Sequence, residues 1–516
     1  MSLRTTLMSV GLLLAGVLSA PALVSYAPAR LTPPEPTREF RGMWIASVGE
    51  SSWVTNHSAA DQQAALLAIL KRAAYLKMNA VLFQVRPACD ALYDSKLEPW
   101  SEYLTGTMGQ APQPYYDPLA FVVKEAHERG LQVHAWFNPY RALHFTSRST
   151  IATNHVSRTH PELVRKYGRY LWLDPGERDV QDHTLRVVMD VVKRYDIDGV
   201  VFDDYFYPYP EQGRDFPDDA SWKKFGARSG LSRDDWRREN VNALVERTYN
   251  SIKAVKPWVQ FGISPFGIWR PGNPPQIKGL DAYAQLYADA RKWLANGWLD
   301  YCVPQLYWPG NQKEQSFPVL LRWWAQQNVK GRHLWPGLNT YKVNEGWPVE
   351  EILQQIAAAR KLPGVDGQVH WNSKPLMDNR RLVEILPHED YVSPALIPAS
   401  PWLGTNAFQR PTLSVSGDEA GDLHFGWSAA PGDKPWAWVL QIKIGDNWFM
   451  EVLQETERHW EGMAPDEVAV TPVDRNGLLG PSAGLVKKPP IFPPSTGRPP
   501  GTEPKPARGH SHKHGG

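Results

Sequence analysis

From Glu39 onward the chain repeats one pattern: a short continuous apolar run, then an amphipathic stretch whose apolar residues fall three and four apart. Eight such runs occur, Gly42 to Ala46, Ala80 to Val85, Val133 to Phe137, Gly199 to Asp203, Gln260 to Ser264, Tyr301 to Leu306, Leu334 to Leu338 and Gly367 to Trp371. A strand covered on both faces needs such a run, and a helix lying on it needs one apolar stripe. Asp61 to Lys77 supplies the stripe with Leu66, Ile69, Ala73 and Leu76. Similar helical patterns cover Leu119 to Arg129, Leu185 to Arg194, Val241 to Val255, Ala282 to Leu294, Pro318 to Gln326, Val349 to Ala359 and Asn379 to Ile385. The alternation predicts an α/β fold, a (β/α)8 TIM barrel over residues 39–387. That span exceeds the ~250 residues of a plain barrel. The excess lies in long connections after the second, third and fourth strands, as an extended substrate groove requires.

After Leu386 the rhythm shortens to β-like runs at Asp422 to Trp427, Trp436 to Ile444, Trp448 to Leu453 and Glu467 to Val473. These predict a small β-sandwich over 388–480, of fibronectin or immunoglobulin size. Residues 481–516 are Pro-rich and end in His510, His512 and His514, so a disordered tail is expected there. At the other end Arg4, the apolar run Leu7 to Leu18 and Ala20-Pro21-Ala22 fit a signal peptide over 1–22, too short to span a bilayer. Residues 23–38 then read as a linker, and a periplasmic or secreted protein without a membrane anchor is expected.

Basic and acidic residues nearly balance, 56 against 54, and no basic block precedes the tail, which leaves nucleic-acid binding without electrostatic support. Cys89 and Cys302 fall at opposite ends of the expected barrel, so no disulfide is expected between them. Neither has a Cys or His at metal-ligand spacing, and no metal or other cofactor is expected.

The candidate chemistry centres on Asp196 to Pro210, DIDGVVFDDYFYPYP, an apolar strand ending in two adjacent carboxylates and a run of aromatics. In a barrel that end of the strand carries the active site. Val201, Asp203 and Tyr205 share one face, and Asp204 reaches it only if the strand bends. Collecting the other strand ends gives a polar, aromatic ring. The second strand leads to Gln84, Arg86 and Asp90, the third to Trp136, Asn138, Tyr140 and Arg141, and the fifth to Ser264, Phe266, Trp269 and Arg270. The sixth gives Gln305, Tyr307 and Trp308, the seventh Asn339 and Tyr341, the eighth His370, Trp371 and Asn372. Amides and Arg bond hydroxyl and acetamido groups while aromatic faces cover sugar rings, so the ring suits a carbohydrate.

With these residues assembled, the chain resembles the bacterial glycosyl-hydrolase-like family related to family 10 glycosidases, whose characterised members include hydrolases of peptide-free peptidoglycan strands. The motifs are RGMWIASV at Arg41, FQVRPACDALYDSKLEPWSEYLTG at Phe83, HAWFNPYR at His134, LWLDPG at Leu171, DGVVFDDYFYPYP at Asp198, SPFGIWRP at Ser264, PQLYWP at Pro304 and PGLNTY at Pro336. The resemblance implies a glycosidase acting on cell-wall glycan. Relatives in enteric bacteria resemble lipoproteins, whereas the signal segment here has no Cys to acylate.

Glycoside hydrolysis usually needs two carboxylates across the scissile bond. The last four strand ends offer none, which argues against an acid on strand four with a nucleophile on strand seven. Adjacent acids instead resemble the substrate-assisted hexosaminidases. Asp203 would then hold the 2-acetamido nitrogen and Asp204 protonate the glycosidic oxygen, with Tyr205 or Tyr207 completing the clamp. A second scheme uses Asp90 as base. Two further readings are a catalytically dead glycan binder, against which the intact acid pair stands, and a deacetylase or esterase, for which no nucleophile-elbow serine or metal triad is present.

Overall fold

The computed structural model describes residues 24–49, 53–54, 56–404, 407–417 and 422–489. The proposed signal peptide and the tail from residue 490 lie outside the described residues.

All eight apolar runs form parallel strands in one curled sheet, and the fold is TIM-barrel-like α/β. In chain order they are Phe40–Ile45, Ala80–Arg86, Gln132–Phe137, Gly199–Phe202, Gln260–Ile263, Tyr301–Cys302, the pair His333–Leu334 and Gly337–Leu338, and Gly367–His370. The seventh strand is split at Trp335-Pro336. Its first half pairs with the sixth strand and its second half with the eighth, which in turn pairs with the first. Alternation along these strands fills the interior with Phe40, Trp44, Leu82, Trp136, Val201, Tyr301, Trp335 and Val369. The other face of each strand packs into the larger core under the helices.

The helices begin where short polar side chains can cap them. Ser58, Asp117 and Ser232 each accept from the backbone N–H three residues on, opening Ala59–Tyr75, Pro118–His127 and Arg233–Val255. The same rule breaks one predicted helix. Asp281 and Asp289 both act as caps, so the stretch Ala282 to Leu294 folds as Ala282–Gln285 and Ala290–Asn296, separated by Tyr287 at φ 53°.

The C-terminal unit has two antiparallel sheets. Leu423, Phe425 and Trp427 share one core with Trp438, Leu440, Ile442, Val468, Val470 and Leu485. Two expected boundaries change. Tyr26–Ala29, placed in the linker 23–38, and Ala483–Lys487, placed in the disordered tail 481–516, pair with each other, and the latter also pairs with Glu467–Val473. Neither segment is long or apolar enough to read as a strand alone; each is ordered by its neighbours.

This unit docks on the barrel face opposite the acid pair, where the strands begin. Arg475 reaches Asp196 at 2.6 Å just before the fourth strand, and Trp402 donates to Asp300 at 2.9 Å before the sixth. Ser400 sits between Gln260 and His333, at the starts of the fifth and seventh strands. Among the described residues, no helix is long and apolar enough to cross a membrane.

Candidate active site

Strand four ends at Phe202, and the chain turns at once, with Phe206 N donating to Asp204 O at 3.0 Å. That turn brings Asp204 round to Asp203, and both are 4% exposed. Asp203 takes the indole N–H of Trp136 at 2.9 Å, the amide of Asn138 on the same oxygen, and the Tyr205 N–H at 3.4 Å. Asn138 is itself held by Gln84 at 3.2 Å and by Arg141, whose guanidinium also lies 4.7 Å from the Tyr205 ring. Gln84 in turn accepts from Ser47 N at 2.9 Å. A polar chain thus crosses the ends of the first four strands and terminates on Asp203. Asp204 has a separate partner, the Tyr209 hydroxyl, and lies near the Gln305 amide, which donates to Ser264 O at 3.1 Å.

Burial pushes the Asp203 carboxyl up to about 7; Arg141 pulls against this, and the neighbouring Asp204 charge adds to it. Asp204 is raised too, chiefly by burial, with the Tyr209 and Gln305 hydrogen bonds opposing the shift. Both adjacent acids are therefore pushed toward the protonated form, each under different neighbours, and such differing environments let two carboxyl groups take different roles.

Of the expected ring, Asp203, Asp204, Trp136, Asn138, Arg141, Tyr205 and Gln305 meet directly. Trp371 stands 5.9 Å from Trp136, and Tyr307 stands 6.4 Å from Trp371, ring to ring. Trp308 packs on Phe266 at 5.6 Å, and Tyr341 N donates to Trp371 O at 2.7 Å from the turn after half-buried Asn339.

Four of the expected substrate residues are buried in other contacts, and a fifth, half-exposed Arg270, is engaged by a neighbouring acid. Arg86 is fully buried, tied to Glu98 at 2.5 Å and to the backbone oxygens of Asn138 and Pro139, so it braces the third-strand loop and does not face a cleft. Asp90 is held by the Ala88 N–H at 2.8 Å, and its acidic neighbours are Glu98 and Glu102; burial raises it to about 6. Tyr140 and Tyr207 belong to the shell core, Tyr207 against Phe216 and Tyr287. Arg270 pairs with Asp281 at 3.3 Å and lies over Tyr283. His370, also in the wider ring, turns outward to Tyr391 and Thr340, as its alternation with inward Val369 demands.

Two residues outside that list matter. Tyr209, in place of Tyr207, holds Asp204, and Trp44, toward the end of strand one, joins Trp136, the indole that holds Asp203, at 4.9 Å and Trp371 at 6.3 Å. The inward position of Trp44 in Phe40–Ile45 was a usable signal, since Phe40, Gly42 and Trp44 share a face. Tyr209 lies in the same aromatic run as Tyr205 and Tyr207, but beyond the strand, alternation no longer says which ring turns to the acids. Among the described residues, no group of three or more His, Cys, Asp or Glu is placed to hold a metal ion.

Comparison with known proteins gives a match to the model of the glycosyl hydrolase-like 10 family over residues 39–352. The chain is 41% identical over 403 residues to the glycosyl hydrolase YngK of Bacillus subtilis, covering 75% of this chain and 78% of that one. It is 36% identical over 402 residues to the glycosyl hydrolase DigH of Escherichia coli K12, covering 70% and 90%. Among solved structures, the glycoside hydrolase domain of PgaB (BpsB) from Bordetella bronchiseptica superposes with a TM-score of 0.46 at 13% identity, over 68% of this chain and 98% of that one.

Proposed function

This chain belongs to the glycosyl hydrolase-like 10 family and is a glycoside hydrolase, and on that premise we propose that it is exported and cuts N-acetylhexosamine linkages in peptide-free cell-wall glycan. The observation that carries the reading is the buried pair Asp203-Asp204, whose two members have separate hydrogen-bond partners. Asp204 gives its proton to the glycosidic oxygen as the bond to the anomeric carbon breaks. The substrate's acetamido oxygen closes on that carbon, while ionised Asp203, oriented by Trp136 and Asn138, accepts the acetamido N–H and stabilises the positive charge that develops. Water then opens the ring, giving its proton back to Asp204. The apolar walls of Trp44, Trp136 and Trp371 suit the acetamido methyl group. We read the two C-terminal sheets as a small β-sandwich of the fibronectin or immunoglobulin kind.

Digestion of sacculi with and without prior amidase treatment, followed by mass analysis, tests the substrate: fragments are expected only after the stem peptides are removed. A thiazoline mimic of the cyclised intermediate is expected to inhibit strongly, since it resembles a species bound more tightly than substrate. Equal cleavage of N-acetylated and de-N-acetylated strands would exclude the acetamido nucleophile.

A further inference from the structure

The aromatic residues around the acid pair do not form a closed cup. From Tyr205 one arm runs outward through the insertion after the third strand. Trp172 lies 6.4 Å from Tyr205 and is fully buried, with its indole N–H on Phe206 O at 2.8 Å. It anchors half-buried Tyr170 at 6.1 Å, which meets Phe145 at 5.5 Å. Phe145 is 40% exposed, with the Arg169 guanidinium 4.3 Å over its ring. This arm stands on its own three-stranded sheet, Arg141–Leu143, Tyr170–Leu173 and Val164–Tyr167, so its rings are held in place and not left on a loose loop.

The other arm leaves in the opposite direction round the barrel. Tyr209 lies 5.8 Å from Tyr205 and 6.3 Å from Phe266, on the loop after strand five; Phe266 lies 5.6 Å from Trp308, on the loop after strand six. All three are half-buried. Each ring meets the next edge to face, and Asp204, held by Tyr209, falls in the middle of the series.

We propose that the partly exposed rings of this row, with buried Trp172 as support beneath them, form a binding track for a glycan chain that passes over Asp204 and extends beyond it on both sides, which makes the enzyme an endo-hydrolase of polymer with distal subsites at Phe145 and Trp308. The inference rests on the hydrolase reading above and adds its substrate length and cutting mode. A site built for chain ends would be closed on one side, whereas here exposed Phe145 and half-buried Trp308 mark two open ends. Remote binding of this kind raises turnover of long chains over short ones.

The test uses peptide-free glycan strands labelled at one end and the shortest oligomer the enzyme cuts. Internal fragments are expected early in digestion of the labelled strand. Phe145→Ala and Trp308→Ala are each expected to lower the ratio of kcat/KM on long strands to that on the short oligomer by roughly tenfold, the scale of one aromatic contact. Release of terminal units alone, a ratio unchanged by both variants, or a loss confined to one arm would overturn the track. Retention of the strands by Asp204→Asn, with and without Phe145→Ala, separates the two claims. If the wild-type protein cuts no glycan, the hydrolase reading fails by itself; weaker retention on adding Phe145→Ala then still supports the track, and unchanged retention overturns it.

Discussion

Asp203 shows how function and stability oppose each other at one side chain. Its carboxyl is raised to about 7 by burial, so the folded protein binds this proton more tightly than the unfolded chain does. Stability is therefore fullest below the ordinary carboxylate range and declines as pH rises toward 7, by at most about 1.4 kcal/mol per pH unit. Asp203→Asn is expected to gain melting temperature relative to wild type at pH 8 and to lose that advantage at pH 4, while hydrolysis is severely impaired at both; calorimetry across pH checks it. In the wild type kcat/KM is expected to fall as pH drops below about 7, because the acetamido N–H needs an ionised acceptor. Asp204→Asn should keep fold and glycan binding and lose roughly 10²-fold to 10⁴-fold in kcat, the usual share of a general acid. Tyr209→Phe removes a hydrogen bond that holds the Asp204 carboxyl down. The alkaline limb of kcat should then move to higher pH, and an unmoved limb would take Tyr209 out of the acid's environment.

Much of this was legible from alternation alone. Asp203 had to face inward because Val201 does, and Trp136 had to lie beside it on the neighbouring strand. What alternation could not supply was where the chain goes once a strand ends. Tyr205, Tyr207 and Tyr209 read alike, yet Tyr207 is drawn into the shell beside Arg237 while Tyr209 returns to Asp204, a choice made by Asp215 and Asp218 gripping Arg237 more than ten residues away. Arg86 is hard to place from sequence for a related reason: it ends the second strand while its partner Glu98 lies in the loop that follows, and only the fold brings the two together.

Among the larger elements, Ala483–Lys487 decides where the C-terminal unit ends. It lies inside its sheet, between Tyr26–Ala29 and Glu467–Val473, and places Leu485 at 4% exposure in the shared core. A chain stopped after Gly480 loses this strand, strips the partner from Tyr26–Ala29 and uncovers one side of the core. Loss of the Leu485 side chain alone is worth about 2 kcal/mol. A chain stopped after Lys488 keeps all of it. Thermal melts of the two truncations should therefore differ, the shorter melting well below full length and the longer close to it; equal melting would mean the strand adds nothing.

For the molecule as a whole, the decisive fact is that the C-terminal unit and the acid pair occupy opposite faces of the barrel. Arg475 links the two units, 2.6 Å from Asp196 and 3.7 Å from Asp198, with its guanidinium 4.3 Å over Trp436, which itself packs on His127 at 4.7 Å. Leu396 joins the core of the second unit through Val439 and Val473, and Ile397 closes the barrel interior from below. The connecting segment therefore belongs to both units, and a barrel cut free at Pro387 would expose its own floor. Arg475→Glu sets a carboxylate against two others and is expected to lower the melting temperature. It should leave kcat/KM on short oligomers unchanged, since nothing it touches reaches Asp204. The Asp198 carboxyl is held below its ordinary value by His127 and Arg475, although burial pushes the other way. Its share of the stability is thus complete above about pH 4 and fades as the pH falls through the lowered value. The melting gap between wild type and Arg475→Glu should narrow in that acid range, and a gap that stays constant with pH would show that Asp198 takes no part in the docking.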